Sequence, residues 1–365
     1  PLPALGVQGG YALLVPLSGS LAPGGSAVRD GFIDAWYAEA GGKPPVRVYD
    51  AGATSGQAVN AYQTALKNGA TLVVGPLTKD GLSAIASSGG ASVPVLSLNY
   101  LDSGTAVPSN FLQFGLAPED EARAAAQHAI AQRRMNALVL SPDTEWGDRV
   151  VAAFTSAYTA LGGQVLQAAR YEPGTQDFGK PLQALMSLDE SNQRHRWLTE
   201  ALGQQSEFEP RGRTDADLVF APARASEARL LLPQLDFFRA SQLPIYSVAA
   251  AYTGSGRDPD GMTVCDMPWM LESDAGRWAE PRREADAAFV DDLKLQPRLF
   301  ALGADAFRVA QAWSSGRFAG GQDLAGATGR LRIETGGRIA RDVDCALLAG
   351  GRLVPSSPVV GTAVP

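Results

Sequence analysis

Small hydroxyl-bearing residues follow the first apolar stretch of the chain, and their types suit the binding of a polar ligand. The run Tyr11–Val15 is apolar and stops at Pro16, after which Ser18, Gly19 and Ser20 form a short polar turn. Such a run is typical of a parallel strand that is covered on both faces. Ligands of open α/β sheets collect at the carboxyl ends of strands, so this turn is either a binding loop or a plain connection.

Further polar and aromatic residues follow later apolar runs in the same way. If two lobes close on one another, the hydroxyl groups and aromatic edges of these loops can orient a small polar ligand. The candidates for this ligand site are Ser18, Gly19, Ser20, Gly75, Thr78, Ser97, Asn99, Tyr100, Ser141, Trp146, Arg224 and Tyr252. The acids near these loops that could pair with an ammonium group are Asp102, Asp143 and Glu145.

Catalytic chemistry has little support in the sequence. His128 lies in an alanine-rich helical segment and His195 in a charged stretch, and neither stands in a motif that would hold a nucleophile or an acid–base pair. The sequence contains no Gly-x-Ser-x-Gly elbow, no His-x-x-x-His pair and no phosphate-binding Gly-x-x-x-x-Gly-Lys-Ser/Thr loop. We therefore expect no enzymatic activity, no catalytic residue, no metal site and no cofactor.

Size and charge narrow the class of protein. The 365 residues suggest roughly two domains, and a hydrophobic share of 45% is ordinary for a soluble globular protein. A net charge of -7 without a basic stripe disfavours nucleic-acid binding. No stretch reaches the roughly 20 apolar residues of a membrane-spanning helix. Because the chain begins at Pro1 without a leader, we expect it to be a processed or truncated piece of a longer protein.

The two cysteines leave two arrangements open. Cys265 and Cys345 lack a Cys-x-x-Cys spacing, which argues against a metal site or a thioredoxin-like pair. They are compatible with a disulfide and equally with two buried free thiols.

Strands alternate with helices along most of the chain. Four strand–helix steps precede residue 100, and a second alternating series begins at Ala137. Alternation of this kind implies right-handed crossovers and a parallel sheet. Near the end, Gly336 and Gly337 predict an antiparallel hairpin between residues 329–333 and 346–348.

This order of elements resembles the type I periplasmic binding proteins over nearly the whole chain. The resemblance rests on the first strand with its Pro-Leu-Ser-Gly loop, on Val74–Leu77 and on the late glycine-rich hairpin. It implies an α/β fold of two doubly wound, Rossmann-like lobes that are joined by crossover strands, with a carboxy-terminal β-hairpin. We expect lobe 1 to comprise residues 10–116 and 253–322, and lobe 2 to comprise residues 117–252 and 323–357, with a charged helical excursion at 189–217.

Several segments narrow the resemblance to the carboxy-terminal domain of the LppC or LpoA family. They are Val73–Lys79, Leu96–Asn99, Leu116–Ala122, Trp146–Val150, Asp266–Trp269, Ser191–His195 and Phe208–Arg211. Members of this family are outer-membrane lipoproteins that reach through the periplasm and activate class A penicillin-binding proteins, the bifunctional peptidoglycan synthases. The family's full-length protein also carries a helical-repeat domain and a lipid-bearing Cys before this region, so the anchor is implied by the resemblance alone.

The resemblance implies a non-enzymatic periplasmic regulator of cell-wall synthesis and cell shape, which activates the synthase by direct protein–protein contact. The full-length lipoprotein would be anchored to the inner leaflet of the outer membrane, and contact with a membrane would occur only through that lipid anchor. The alternative is a solute receptor that binds an amino acid or a similar small polar ligand in the cleft between the lobes. Neither interpretation includes a nucleic-acid partner.

Two stretches rich in Arg and Trp are the candidates for docking a protein partner. Interfaces are usually anchored by aromatic residues and Arg within a polar rim, although each stretch is also compatible with a solvated charged loop. The docking candidates are Arg194, Arg196, Trp197, Arg211, Arg213, Trp269, Arg277 and Trp278.

Overall fold

The chain forms two compact units, each of which is built from two segments. The computed structural model describes residues 10–88, 92–102, 104–203, 208–209, 212–238, 240, 242–254, 258–272, 276–289 and 295–355. Unit 1 contains the chain up to Leu116 together with Met267–Asp342, and unit 2 contains Ala117–Asp266 together with the chain from Val343 onward.

Two of the crossings between the units lie later in the chain than the sequence predicts. The crossing expected at residue 252 lies after Asp266, because the strand Met262–Asp266 pairs in parallel with Ile245–Val248 in the sheet of unit 2. The crossing expected at residue 322 lies after Asp342, because residues 323–342 form a small sheet that packs into the core of unit 1.

Unit 1 is built around a parallel sheet with the strand order β2-β1-β3-β4-β5. Elements are numbered in chain order through the whole molecule. The strands of this sheet are β1 (Gly10–Val15), β2 (Val46–Asp50), β3 (Ala70–Val74), β4 (Val95–Ser97) and β5 (Phe111–Gln113). The helices of the unit are α1 (Ala22–Ala38), α2 (Ser55–Lys67), α3 (Lys79–Ser87), α9 (Pro268–Leu271), α10 (Ala279–Ala288) and α11 (Pro297–Ser314). The parallel α/β architecture predicted for this part of the chain is confirmed.

Helices cover both faces of this sheet, which explains why its strands are continuous apolar runs. On one face, Leu13 packs in a cluster with Phe32 of α1 and Phe307 of α11. On the other face, Leu14 packs in a cluster with Tyr62 of α2. Because α1 and α11 come from different segments of the chain, the core of unit 1 joins both segments.

A small antiparallel sheet completes unit 1 and corrects the predicted hairpin. Its strands are β11 (Asp323–Gly326), β12 (Gly329–Ile333) and β13 (Ile339–Asp342), in that order. The turn at Gly336 and Gly337 is present, and both residues have positive φ values of 81° and 74°. The strand after the turn is β13, however, because residues 346–348 lie in a strand of unit 2.

Unit 2 contains a mixed sheet with the strand order β15-β14-β10-β9-β8-β6-β7. Its strands are β6 (Asn136–Pro142), β7 (Gln164–Tyr171), β8 (Leu218–Phe220), β9 (Ile245–Val248), β10 (Met262–Asp266), β14 (Asp344–Ala349) and β15 (Arg352–Pro355). Its helices are α4 (Pro118–Ala131), α5 (Glu145–Ala160), α6 (Gly179–Leu185), α7 (Leu188–Leu202) and α8 (Ala225–Phe237). Strands β6, β7, β8, β9 and β10 run parallel to one another, and β14 and β15 are antiparallel additions at one edge.

The helices of unit 2 also lie on both faces of its sheet. Phe154 of α5 packs on one face, stacked against Phe220 of β8 at 4.0 Å between ring centroids. Leu182 of α6 and Leu231 of α8 pack in the cluster on the other face. Helix α7 forms the helical part of the charged excursion, and it buries Leu188 in that second cluster.

A disulfide joins Cys265 of β10 to Cys345 of β14. The two residues lie directly opposite each other in the antiparallel pair, and both are buried. Of the two arrangements that the sequence leaves open, the structure contains the disulfide.

Candidate functional site

Three candidate loops of unit 1 follow neighbouring strands and therefore share one edge of its sheet. Strands β1, β3 and β4 are adjacent, and Ser18–Ser20 follows the first of them. Ser18 and Ser20 are exposed, and Gly19 has a positive φ of 73° in a short 3₁₀ turn. The ligand-binding role of this exposed loop stays a prediction.

Asp50, at the end of β2, positions this first loop and is not among the residues predicted from the sequence. Its carboxylate accepts hydrogen bonds from the backbone nitrogens of Leu17 and Gly52, both at 2.8 Å. These bonds, together with the hydroxyl of Ser18, hold the pKa of Asp50 below its usual value. The turn residues that follow Asp50, Ala51-Gly52, are the sequence signal for such a bond.

The second loop contains one interior and one partly exposed candidate. Gly75 is buried, and its backbone nitrogen donates to the carbonyl of Leu96 at 2.8 Å. A Cβ at this position would overlap the carbonyl oxygen of Leu14, so Gly75 permits close packing in the sheet. Thr78 is half-buried and precedes the first turn of α3. The prediction that Gly75 faces a ligand is therefore corrected, because neighbouring backbone occupies the space beside it.

The third loop is held together by its own polar side chains. Ser97 is fully buried, and its hydroxyl donates to the carbonyl of Asn99 at 2.8 Å. The side-chain amide of Asn99 donates to the carbonyl of Leu77 at 2.9 Å, and its oxygen accepts from the backbone nitrogen of Tyr100. Ser97 is thus a structural residue rather than a ligand-facing one, and Asn99 ties the second and third loops together.

Tyr100 connects the third loop to the turn between β12 and β13. Its hydroxyl donates to the carbonyls of Gly115 at 3.1 Å and Ile339 at 3.3 Å. The guanidinium of Arg338 lies over the tyrosine ring, 4.1 Å from its centroid. Arg338 is not among the predicted residues, because its contact with Tyr100 joins distant parts of the chain.

In unit 2, the candidate residues lie at or after the ends of β6, β8 and β9, which are also neighbours in their sheet. Ser141 is buried within β6, and Tyr252 is buried with its hydroxyl donating to Asp266 at 2.6 Å. The predicted ligand-facing role is therefore corrected for these two residues. Trp146 is half-buried, and the exposed Arg224 lies over its indole ring at 5.6 Å. This Arg–Trp pair remains a candidate at the surface.

The acids proposed as partners for an ammonium group include two that form ion pairs within their own units. Asp102 pairs with Lys79, and Asp143 accepts from Arg170 at 2.7 Å. The carboxylate of Glu145 lies in the first turn of α5. The carboxylates of Asp102 and Asp143 therefore already have a cationic partner in their own unit, although the pairs are exposed and weak.

The two histidines lie apart within unit 2. His128 of α4 is half-buried, and its Nδ1 lies 3.3 Å from the hydroxyl of Tyr246. Burial and the positive charge of nearby Arg134 lower the pKa of His128 below its usual value, although the negative charge of Asp344 acts in the opposite direction. His195 stacks on Phe208 with 4.0 Å between ring centroids. Among the described residues, no group of three or more His, Cys, Asp or Glu side chains could hold a metal ion.

The first docking candidate is an exposed stripe on α7, hereafter the α7 stripe. It consists of Arg194, Trp197, Leu198, Ala201 and Leu202, which recur at helical three- and four-residue steps and are all exposed. Trp197 is 66% exposed and Leu202 is 70% exposed. Arg194 pairs with Glu190 at 3.8 Å, and the exposed Arg196 lies beside the stripe. An apolar face turned toward solvent is typical of an interaction surface.

The other docking candidate in the excursion does not belong to this surface. The guanidinium of Arg213 is mostly buried and donates to Asp215 at 2.8 Å and to the side chain of Gln167 at 2.8 Å. Its backbone nitrogen donates to the carbonyl of Met186. Arg213 therefore anchors the end of the excursion, and its predicted docking role is corrected. Arg211 lies outside the described residues.

The second docking candidate is corrected because its tryptophans are buried. Trp269 is 1% exposed and Trp278 is 5% exposed, and both pack in a cluster with Phe300. The guanidinium of Arg308 lies 4.8 Å from the Trp278 ring centroid, and that of the exposed Arg277 lies 5.3 Å from it. These tryptophans support unit 1 and offer no anchor to a partner.

The chain resembles one known protein family over most of its length. The family model described as "LppC putative lipoprotein" matches residues 8–349. A penicillin-binding protein activator LpoA from Photobacterium profundum is 27% identical over 357 residues, which are 95% of this chain and 57% of that protein. The chain thus spans a little over half the length of this curated relative. None of the helices in the described part of the chain is long and apolar enough to cross a membrane.

Two solved structures share the fold. One is the LpoA C-domain from Haemophilus influenzae, described as a regulator of PBP1A, which has a TM-score of 0.70 and 23% identity and covers 95% of this chain and 99% of its own. The other is an ABC transporter substrate-binding protein from Sphaerobacter thermophilus, with a TM-score of 0.68, 18% identity and coverage of 96% and 97%. At these identities the likeness is one of fold, and the predicted type I periplasmic-binding-protein architecture is confirmed.

Proposed function

Because the chain belongs to the LppC family, we propose that it is a non-enzymatic regulatory domain that activates a class A penicillin-binding protein by direct contact. The activator name of the curated relative supports the choice of partner. The chain covers 99% of a solved domain that is itself described as a regulator of PBP1A, which supports assigning the regulation to this part of the longer protein.

The observation that carries the proposed contact is the α7 stripe. It exposes the large apolar side chains of Trp197, Leu198 and Leu202 next to Arg194 and Arg196, and Trp and Arg are the residues that most often anchor interfaces. Binding through the stripe loses little backbone conformational entropy, because the helix is already ordered before a partner binds.

The internal hydrogen bonds of the strand-end loops favour this function over that of a solute receptor. The hydroxyl groups of Ser97, Tyr100 and Tyr252 are donors to groups of their own units. The likeness to a substrate-binding protein concerns fold alone. A cleft ligand is therefore not part of the proposed function.

We place the domain in the periplasm, within a lipoprotein held at the outer membrane. The family description names a lipoprotein. The Cys265–Cys345 disulfide supports an oxidising compartment, because disulfides persist outside the reducing cytosol.

A reconstitution with the purified domain tests the function. The domain is mixed with the class A synthase of the same organism, and glycan polymerisation and peptide cross-linking are each measured with and without it. We expect the domain to bind the synthase and to raise at least one of the two rates. Unchanged rates in the absence of measurable binding would contradict the proposal.

A metabolite screen tests the receptor alternative on the same preparation. A ligand at 100 times its Kd stabilises a folded protein by about 2.7 kcal/mol, which is readily seen as a shift in Tm. We expect no saturable shift with amino acids. A saturable shift together with unchanged synthase rates would favour the solute receptor instead.

A further inference from the structure

The disulfide lies where the chain leaves unit 2 and where it returns. Cys265 precedes Asp266, the last residue of unit 2 before the chain enters unit 1. Cys345 comes shortly after Val343, the first residue of the returning segment. Between them lies the whole second segment of unit 1, Met267–Asp342. The disulfide therefore closes that segment into a covalent loop whose two ends meet on the sheet of unit 2.

Without the disulfide, the far end of the loop is held by non-covalent contacts of β14, which are its sheet pairing and the packing of its buried side chains. Strand β14 pairs with β10 on one side and with β15 on the other, and β15 is the edge strand. Edge elements of a sheet open locally at lower free energy than its centre. If β14 and β15 separated from β10 in the reduced protein, the far end of the second segment of unit 1 would lose its attachment to the sheet of unit 2.

The loop carries elements that unit 1 requires. Helix α11 packs against α1, and its Phe307 lies in the cluster that covers one face of the unit 1 sheet. Strand β12 contributes Leu331 to the same cluster. A freed end increases the number of conformations open to the loop when these elements detach, which favours their detachment.

We propose that the Cys265–Cys345 disulfide is a clamp that insulates unit 1 from opening of the carboxy-terminal strands of unit 2. With the bond intact, β14 and β15 open without releasing the ends of the second segment of unit 1. Without it, the same opening destabilises α11. Both cysteines are buried, so the disulfide is protected from reductants while β14 remains in the sheet.

Hydrogen exchange followed by mass spectrometry tests the clamp on two forms of the protein. The first comparison is between the oxidised chain and the same chain refolded under reductant, so that only the bond differs. We expect exchange to accelerate by at least about tenfold in β14–β15 and in α11, with less than about a twofold change in α5. Acceleration confined to β14–β15, or equal in α5, would overturn the proposal.

A variant of the oxidised chain keeps the test decisive if the reduced chain does not fold. Leu348 of β14 is buried, so Leu348→Ala weakens the attachment of this strand while the disulfide remains. We expect faster exchange in β14–β15 and unchanged exchange in α11. Comparable acceleration of α11 in this oxidised variant would show that the disulfide does not insulate unit 1, and would overturn the proposal.

Discussion

Gly31 of α1 and Gly303 of α11 bring their two helices into backbone contact. A Cβ on Gly31 would overlap the carbonyl oxygen of Phe300, and a Cβ on Gly303 would overlap that of Val28. The two overlaps are reciprocal, so each glycine faces the backbone of the other helix. Because α1 and α11 belong to different segments, this glycine pair sets how closely the two segments of unit 1 pack.

Gly303→Ala should destabilise unit 1 by about 2 kcal/mol or more, because backbone atoms cannot move aside as a flexible side chain can. Urea unfolding measures the change. The matched control is Gly56→Ala in α2, where an added Cβ meets nothing within 4 Å. This control should leave stability unchanged or raise it by up to about 1 kcal/mol, because Ala favours helix more than Gly does. Equal destabilisation by both variants would show that close helix packing is not the cause.

Asp305→Ala should be among the most destabilising single changes in unit 1. The buried carboxylate accepts hydrogen bonds from the backbone nitrogens of Ala327 and Thr328 at 2.8 and 2.7 Å, and from Arg308 at 3.0 Å. Its removal leaves buried donors unpaired, at a cost of about 3 kcal/mol or more.

The control for Asp305→Ala is Asp323→Ala, which removes an exposed partner of Arg330. An exposed ion pair contributes less than about 1 kcal/mol, so this variant should unfold at nearly the wild-type urea concentration. A similarly small effect of Asp305→Ala would mean that the buried donors find other partners.

Trp278→Ala should lower the free energy of unfolding by about 3 kcal/mol, because it empties the space of a buried ring beside Trp269 and Phe300. Arg277→Ala changes an exposed neighbour and should have an effect below about 1 kcal/mol. Calorimetry on the two variants compares them directly. If Trp278→Ala kept wild-type stability and lost synthase binding, the tryptophan would be an interface anchor after all.

The double variant Trp197→Ala and Leu202→Ala should weaken synthase binding by at least about tenfold, because it removes the most exposed apolar side chains of the α7 stripe. Surface binding to immobilised synthase measures the loss. Both residues are exposed, so the Tm should change little.

Phe237→Ala provides the matched control for the α7 stripe. Phe237 ends α8 and is 79% exposed, so it offers a comparable apolar surface on another helix of the same unit. This variant should bind the synthase with wild-type affinity. If it lost as much affinity as the α7 double variant, general surface hydrophobicity rather than the α7 stripe would account for binding.

The stability of unit 2 should fall as the pH falls below about 6.5, in part because of His128. Its pKa is lowered in the folded protein, chiefly by burial, so the unfolded chain binds the proton at a higher pH than the folded one does. The contribution of neutral His128 to the free energy of unfolding is fully present above the pKa that it has in the unfolded chain. This contribution is lost as the pH falls through the lower pKa of the folded protein. Urea unfolding between pH 7.5 and pH 5 should therefore show a shallower pH dependence for His128→Gln than for wild type. Identical slopes would exclude His128 as a cause.

Much of the fold could be predicted because its strands are covered on both faces. Continuous apolar runs such as Tyr11–Val15 and Ala137–Leu140 identify buried parallel strands without any knowledge of their neighbours. The later crossings were harder to place, because Cys265 and Asp342 are assigned to a unit only by their long-range pairing. A hairpin turn likewise shows where a chain reverses, but not which later strand belongs to the other unit.

The site could be predicted less well, because residue type does not determine the direction of a side chain. Ser97 follows an apolar run as Ser18 does, yet its hydroxyl turns inward to the backbone. Trp278 stands next to Arg277 in sequence, and Phe300, which packs with both Trp269 and Trp278, comes later in the chain. In α7, by contrast, Trp197 is exposed as the docking prediction requires, because the helix buries its opposite side. The exposed Leu202 beside it is not among the predicted residues.

The division of unit 1 between two segments also determines when its apolar surface is covered during synthesis. The first segment supplies the whole parallel sheet and α1, whereas α11, which shares the covering of one sheet face, ends only at Ser314. Until the ribosome has released that helix, Leu13, Val74 and their neighbours lack part of the packing that covers them in the folded unit. A nascent or truncated chain that stops before α11 therefore exposes part of an apolar sheet face, which favours aggregation.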